Sequence, residues 1–288
     1  MIGSKWFFTP VALFIWIPVF LVGVFSLQPD GVSKQVVLSA APTLPVVTTP
    51  PQLTTDVYRV FDIKSGAVVM SSNETKIVPI ASIAKLFTGA AIVASEDLSS
   101  TTTVTWSDLA AEGEAGKLSF ADIYTFQELL FPLLLESSND AAATLNRSIG
   151  STLLDTMNTR ANAIGAPGTK FTDPSGFRDD TVSTAYDLQL LLSSVYETQP
   201  QVFDITVLSS YIGAQTGWMN NNPFVHEIGY RGGKHGYTTT AGRTAVAIFN
   251  EEIDGHTFTV GYIILGSKDL SKDMAALRAS VNNSATEN

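Results

Sequence analysis

The chain has 288 residues, of which 45% are hydrophobic and only 15% charged, and its 27 acidic and 17 basic residues leave a formal net charge of −10. That balance excludes global disorder, and the lack of a basic arm or stripe argues against nucleic acid as a partner. There is no cysteine, which excludes a disulfide scaffold, thiol catalysis and a cysteine-rich zinc site.

The mean hydropathy of +0.19 is high for a soluble chain, and much of the apolar excess sits at the start. Trp6–Leu27 runs for 22 residues without a charge and holds two of the four tryptophans. As a helix it would span about 33 Å, enough to cross a bilayer. We read residues 1–27 as a cytoplasmic tip and an uncleaved transmembrane signal anchor, with Lys5 ahead of the span favouring an N-terminus left in the cytoplasm. A cleaved signal peptide is the rival reading. However, Phe25-Ser26-Leu27-Gln28 is a poor small-x-small site, and Ser39-Ala40-Ala41 lies far downstream. Residues 28–55 hold five of the 13 prolines and read as a semi-extended Pro/Thr-rich tether. The alternative is an irregular strand packed on the domain. Residues 56–288 read as one folded unit.

Within that unit, Val57–Asp62 is strand-like, Lys64-Ser65-Gly66 is a turn and Ala67–Met70 returns as a second strand. Helical periodicity dominates from Ser82 to about Leu192, including an apolar helix over Phe126–Leu135. Gly242–Asn250 and His256–Gly266 read as strands joined by a turn over Glu251–Gly255. A final helix over Leu270–Val281 aligns Leu270, Met274, Leu277 and Val281 on one face. Strands first and last with a helical block between them predict an α+β fold. The expected architecture is an antiparallel sheet whose first and final strands are neighbours, flanked by helices, with an inserted helical lobe.

Several chemistries are absent. No Gly-x-Ser-x-Gly elbow, His-Glu-x-x-His, calcium loop or phosphate-binding Gly-x-x-x-x-Gly-Lys occurs. Ser-x-x-Lys occurs once, as Ser82-Ile83-Ala84-Lys85, opening an apolar helix. Residues i and i+3 share a helix face, so the lysine can take the hydroxyl proton if burial and nearby cations lower its pKa. The plain alternative is a capping serine followed by a solvated lysine. Ser137-Ser138-Asn139 follows the Phe126–Leu135 helix and can aim a hydroxyl and a carboxamide from one tight turn, or merely cap the next helix. Lys234-His235-Gly236-Tyr237-Thr238 precedes the last two strands. Its glycine lets another backbone approach, while the alternative is an ordinary edge strand. Lys64-Ser65-Gly66 is a decoy for this third element, because it precedes the candidate nucleophile and reads as a hairpin turn.

The three elements lie in order, 55 and then 97 residues apart counted from Ser82, Ser137 and Lys234. Together they resemble the Ser-x-x-Lys, Ser-x-Asn, Lys-Thr-Gly set of penicillin-binding proteins and serine β-lactamases. The chain most resembles the low-molecular-mass D-alanyl-D-alanine carboxypeptidases of peptidase family S11. Pro79–Thr88 and Glu136–Ala142 look like that family's first two motif segments. Met157, Asn158, Ala161, Gly165, Thr169, Phe171, Pro174, Gly176 and Phe177 match its following segment, and Ser183–Leu188 is similar to its next helix start.

The resemblance implies the β-lactamase/DD-peptidase-like transpeptidase fold and a serine D-Ala-D-Ala carboxypeptidase acting on peptidoglycan stem peptides. By it, Ser82 becomes acylated, Lys85 is its base, Ser137 relays the proton and Asn139 holds the donor peptide. The backbone N–H groups of Ser82 and Tyr237 form the oxyanion hole, and Lys234, His235, Gly236 and Thr238 bind substrate. It implies no metal or organic cofactor, a stem peptide ending in D-Ala-D-Ala as substrate, and β-lactams as covalent inhibitors. The place implied is a bacterial cell membrane, with one N-terminal span and an extracytoplasmic catalytic domain. Many relatives carry a C-terminal β-domain and a C-terminal amphipathic anchor, and the N-terminal span is expected to replace that anchor.

Two departures stand out. His235 occupies the position of a family threonine or serine that helps bind the substrate carboxylate, which leads us to expect pH-dependent binding. The family's carboxylate-binding arginine after the last strand is missing, leaving Lys268 or Lys272 as substitutes. A serine β-lactamase is one alternative reading, though Glu197 and Glu227, the only glutamates between Asp140 and Lys234, have no suitable flank for a deacylating residue. A non-catalytic penicillin-sensing or wall-binding module is another, favoured by His235.

Overall fold

A computed structural model describes residues 42–283. The expected anchor and the first part of the tether, residues 1–41, lie outside the described residues. Among the described residues no helix is long and apolar enough to cross a membrane.

In chain order the strands and helices begin with β1 (Val57–Asp62), β2 (Val68–Ser72), β3 (Val78–Pro79) and α1 (Ala84–Ser95). Next come β4 (Thr101–Thr103), β5 (Ile123–Thr125), α2 (Phe126–Leu135), α3 (Asn139–Ile149) and α4 (Thr152–Ala163). These are followed by β6 (Val182–Ser183), α5 (Ala185–Thr198), α6 (Gln201–Thr206), β7 (Ser210–Ile212) and β8 (Gly217–Met219). The chain closes with β9 (Tyr230–Thr238), β10 (Gly242–Ile253), β11 (His256–Ser267) and α7 (Leu270–Asn283).

Five strands form one antiparallel sheet in the order β2-β1-β11-β10-β9. The first long strand does lie beside the last, with Val57 opposite Leu265 and Asp62 opposite Val260. Alternation along the strands splits the core in two. Val57, Phe61, Val246, Ile248, Ile263 and Leu265 face the helical lobe. Tyr58, Val60, Ala245, Ala247, Phe249, Val260, Tyr262 and Ile264 face α7, which returns Leu270, Met274, Leu277 and Val281, the stripe expected from sequence.

Local chemistry sets the boundaries. Asp62 accepts from the Lys64 and Ser65 N–H groups, and Gly66 follows at a φ of 73°, so Lys64-Ser65-Gly66 is indeed a hairpin turn. The expected turn over Glu251–Gly255 is shorter than read. Glu251 is buried in the ladder, where it accepts from the Tyr262 hydroxyl and from Arg278. Only Asp254 and Gly255, both with positive φ, make the turn. The described part of the proline-rich segment is docked rather than free. Leu44 is buried, Val47 N–H donates to Val69 O at 3.0 Å, and Thr54 donates to Asp273 from both its N–H (2.8 Å) and its hydroxyl (2.7 Å).

Candidate active site

The segment of Ser82, the expected nucleophile, is held from below by a strained backbone. Ala81 has a φ of 51°, in the left-handed region that alanine rarely adopts, just before Ser82 in the short 3₁₀ turn Ala81–Ile83. Gly176 packs so tightly beneath it that a Cβ there would lie 1.9 Å from the Ala81 carbonyl oxygen. The turn runs into α1, whose first residues bury Lys85 completely. Lys85 Nζ lies 2.9 Å from Ser82 Oγ and donates to Ser175 O at 2.8 Å. The loop carrying that carbonyl is shaped by Asp173, whose carboxylate accepts from the N–H groups of Ser175, Phe177 and Arg178 and from the Thr181 hydroxyl.

Burial, and next the cation of Lys234, hold the Lys85 ammonium well below its usual range, with Asp173 and Glu114 pulling the other way. Lys234 is also fully buried. Burial pushes it down to about 7 against the opposing charge of Glu114, and its Nζ donates to His235 O at 2.8 Å. Two buried lysines thus share one carboxylate neighbour, and burial beside a like charge disfavours the ammonium form of Lys85. A neutral Lys85 can accept the proton that the Ser82 hydroxyl must lose.

The lysine burial has a consequence for stability. With its pKa lowered to about 7 from 10.5, Lys234 binds fewer protons in the folded protein than in the unfolded chain between those values. Stability therefore rises with pH across that window, and the penalty is complete below pH 7. Lys234→Met is expected to be more stable than the parent at pH 6 by on the order of a few kcal/mol, with the difference shrinking towards pH 10. Urea titrations at the two pH values measure this, and a difference independent of pH refutes the burial account.

The second element sits between α2 and α3. A capping box between Thr125 and Glu128 starts α2, and Ser138 caps α3 by accepting from Ala141 N–H at 3.0 Å. Ser137, buried and at a φ of 64°, turns the chain between them. Among the described residues its hydroxyl makes no hydrogen bond to Ser82, Lys85 or Lys234. Asn139 is covered by the loop between β4 and β5. Its N–H donates to Glu114 O at 2.7 Å, its Nδ2 donates to Glu112 O, and its Oδ1 is buried without a partner. Gly113 and Gly116 permit this approach, since a Cβ on either would fall within 2.3 Å of Asn139 Nδ2 or 2.2 Å of Ser138 Oγ.

The third element lies on β9, an edge of the sheet. Gly236 faces Ser82, where a Cβ would lie 2.5 Å from Ser82 N and 3.1 Å from its Cα. Gly236→Ala is expected to push Ser82 off Lys85 and slow acylation by about tenfold to a hundredfold. Stopped-flow penicillin acylation measures this, and an unchanged rate overturns the contact. Tyr237 follows with an exposed ring. Thr238 ends the strand, and its hydroxyl accepts from Ala241 N–H in the turn to β10, so it is engaged there and not with Ser82. His235 is a correction to the sequence reading. Burial first, then the cations Lys234, Arg243 and Lys85, push it down to about 3, and its Nδ1 has no partner. It is neutral throughout the physiological range, so the expected pH-dependent binding does not arise from it.

A family model described as D-alanyl-D-alanine carboxypeptidase, peptidase S11, matches residues 45–256. The chain belongs to this family. A D-alanyl-D-alanine carboxypeptidase of Mycobacterium tuberculosis is 32% identical over 197 residues, covering 65% of this chain and 67% of the relative. A D-alanyl-D-alanine endopeptidase of Pseudomonas aeruginosa is 28% identical over 202 residues, covering 65% and 64%. Among solved structures, a D-alanyl-D-alanine carboxypeptidase from M. tuberculosis superposes with a TM-score of 0.74 at 26% identity, covering 83% of this chain and 95% of that one. A penicillin-binding protein of Listeria monocytogenes in a cefotaxime-bound form shares the fold at a TM-score of 0.72 and 24% identity, covering 82% and 99%. The family's DD-peptidase fold, α+β with an antiparallel sheet, is therefore that of this chain.

Several residues of this S11 site escaped the sequence reading. Glu114 sits in a stretch, Glu112–Gly116, that carries no motif and gives no signal before folding. Asp173 and the Ser175 carbonyl lie among matched residues, yet matching alone does not reveal that a main-chain oxygen holds Lys85. Arg243 was legible in part, since a hairpin through Thr238–Gly242 sets it opposite Tyr237.

Proposed function

We propose that this S11 family member is a serine-type D-Ala-D-Ala carboxypeptidase that shortens peptidoglycan stem peptides through an acyl-enzyme on Ser82. The observation that carries the reading is the 2.9 Å contact between Ser82 Oγ and a fully buried Lys85 whose ammonium is disfavoured. Lys85 takes the hydroxyl proton as Ser82 attacks the carbonyl of the penultimate D-alanine. The backbone N–H groups of Ser82 and Tyr237 stabilise the oxyanion, a kind of donor worth about 2.7–4 kcal/mol each in other hydrolases. Ser137 relays the proton: it gives its hydroxyl proton to the leaving D-alanine amine and regains one from Lys85, which returns the proton taken from Ser82. Asn139 orients the acyl peptide once its carboxamide exchanges Glu112 O for the substrate carbonyl. Lys234 supplies positive charge next to this centre. Water then releases the shortened peptide, and β-lactams acylate the same serine.

The organisation that accompanies this reading is a cytoplasmic tip and membrane span within residues 1–27, the segment to 55 leading from it, and the catalytic domain outside the membrane. The test of the reaction is mass spectrometry of a pentapeptide ending in D-Ala-D-Ala after incubation with the purified full chain. Loss of one D-alanine, with a penicillin adduct mapped to Ser82, is the expected result. An unchanged peptide and an unlabelled serine overturn the reading. Cross-linked muropeptides in the same assay report endopeptidase action.

A further inference from the structure

Within the helical lobe, a cavity of about 120 Å³ lies where α1, α4 and α5 meet. Its apolar lining comes from Phe87, Ala90 and Ala91 of α1, Met157 of α4, Leu191 of α5 and Phe171 from the loop after α4. Phe87 and Phe171 face each other with ring centres 5.9 Å apart. Protein interiors pack with few voids larger than a water molecule, so a space of this size is costly to leave empty. Water fills it poorly, because most of the wall offers no hydrogen bond. A dry cavity of about 150 Å³ lined by Leu, Ile and Phe takes up benzene. An occupant of the present one is accordingly small and apolar, with a chain of about five carbons or a single phenyl ring.

One charge is added to this lining. Arg160, in the last turn of α4, lines the cavity and is half-buried. Among the described residues its side chain enters no ion pair. No acidic residue lines the cavity, and Ser194 and Gln199 add only a neutral hydroxyl and a neutral amide. Asp155 shares a separate surface recess with Arg160 but stays beyond ion-pair distance. A free guanidinium is the partner that a carboxylate engages with two parallel hydrogen bonds.

We propose that this cavity is a second binding site, taking a small carboxylic acid with an apolar body: the body lies among Phe87, Ala90, Met157 and Leu191, and the carboxylate pairs with Arg160. The site is lined by none of the residues assigned to the chemistry at Ser82, and its occupation does not depend on that chemistry. Packing nevertheless joins the two. The Thr88 hydroxyl donates to Pro174 O at 2.7 Å and stands 3.5 Å from Met157 Sδ, and Pro174 precedes the residue whose carbonyl holds Lys85. An occupant therefore presses on the same helix and loop that fix the buried lysine.

The test titrates the purified full chain with hexanoate, benzoate, hexanol and acetate by calorimetry and ligand-observed NMR. Hexanoate and benzoate are expected to bind with a Kd of about 1 mM or tighter, and acetate at least about tenfold more weakly, since it lacks the apolar body. Arg160→Gln is expected to weaken hexanoate about tenfold and to leave hexanol unchanged, the mark of one charge-assisted contact. Ala90→Leu fills the space and is expected to abolish binding of both while keeping or raising the melting temperature. Ala163→Trp, at an exposed position lining the same cavity, supplies the block if Ala90→Leu does not fold. Equal affinity for hexanoate and acetate overturns the proposal, as does an equal loss of hexanoate and hexanol in Arg160→Gln. Hexanoate binding that survives Arg160→Gln and the cavity-filling variant also overturns it and places the acid on cations elsewhere.

Discussion

Ser82→Ala is expected to bind no penicillin covalently and to lose D-alanine release by on the order of 10⁵–10⁶-fold, the scale seen when a hydrolase loses its nucleophile. The substitution removes one oxygen from a half-buried position and leaves Lys85 its bond to Ser175 O, so the fold should be unaffected. Circular dichroism checks the fold, gel fluorescence the label and mass spectrometry the product. The prediction depends on there being no second route. No other serine among the described residues has a lysine amine within hydrogen-bond distance of its hydroxyl. An alanine variant that still acquires a stable penicillin adduct places the chemistry elsewhere and ends the Ser-Lys account.

Lys85→Met separates the base from the nucleophile. Methionine fills a similar volume but accepts no proton, so Ser82 keeps its place and loses its activation. Acylation by penicillin is expected to slow by about 10²–10⁴-fold, the range for removal of a positioned general base. Stability should move in the opposite direction, because a fully buried amine with a like charge nearby is replaced by an apolar chain. The gain is expected to be largest at low pH, where the parent must hold the ammonium charged, and to fade as pH rises. Slower acylation together with a higher melting temperature is the signature of a group kept for chemistry at the expense of stability. A variant that acylates at the parental rate removes Lys85 from the mechanism, whatever its stability.

How much of this was legible before folding depends on the range of the interaction. Residues 126–135 read as a helix because apolar spacing is local, and that helix forms over the same ten residues, its start fixed by a capping box. The stripe on α7 and the pairing of the first strand with the last follow from patterning and element order. The contact between Ser82 and Lys85 is also local, one turn of helix. What escaped is non-local and carried by the main chain. Ser175 O reaches Lys85 across 90 positions, and Glu112 O meets the Asn139 carboxamide across 27. A carbonyl has no residue type by which sequence can announce it. His235 was misjudged for a related reason. Its chemistry was read from the imidazole alone, whereas burial among three cations decides its charge.

β9 ends the sheet, yet most of its residues are buried, because it lies in a recess rather than on a rim. The 3₁₀ turn abuts it at Gly236, and Thr206 of α6 accepts the N–H of Gly233 at 3.1 Å. An open strand edge is ordinarily an aggregation hazard, since it can pair with the edge of another sheet. Here the 3₁₀ turn and α6 cover part of that edge, and Thr206 takes up the Gly233 N–H that an edge leaves open. One architectural choice therefore shortens the stretch of open edge beside Ser82 and protects the molecule from joining sheets with its own copies.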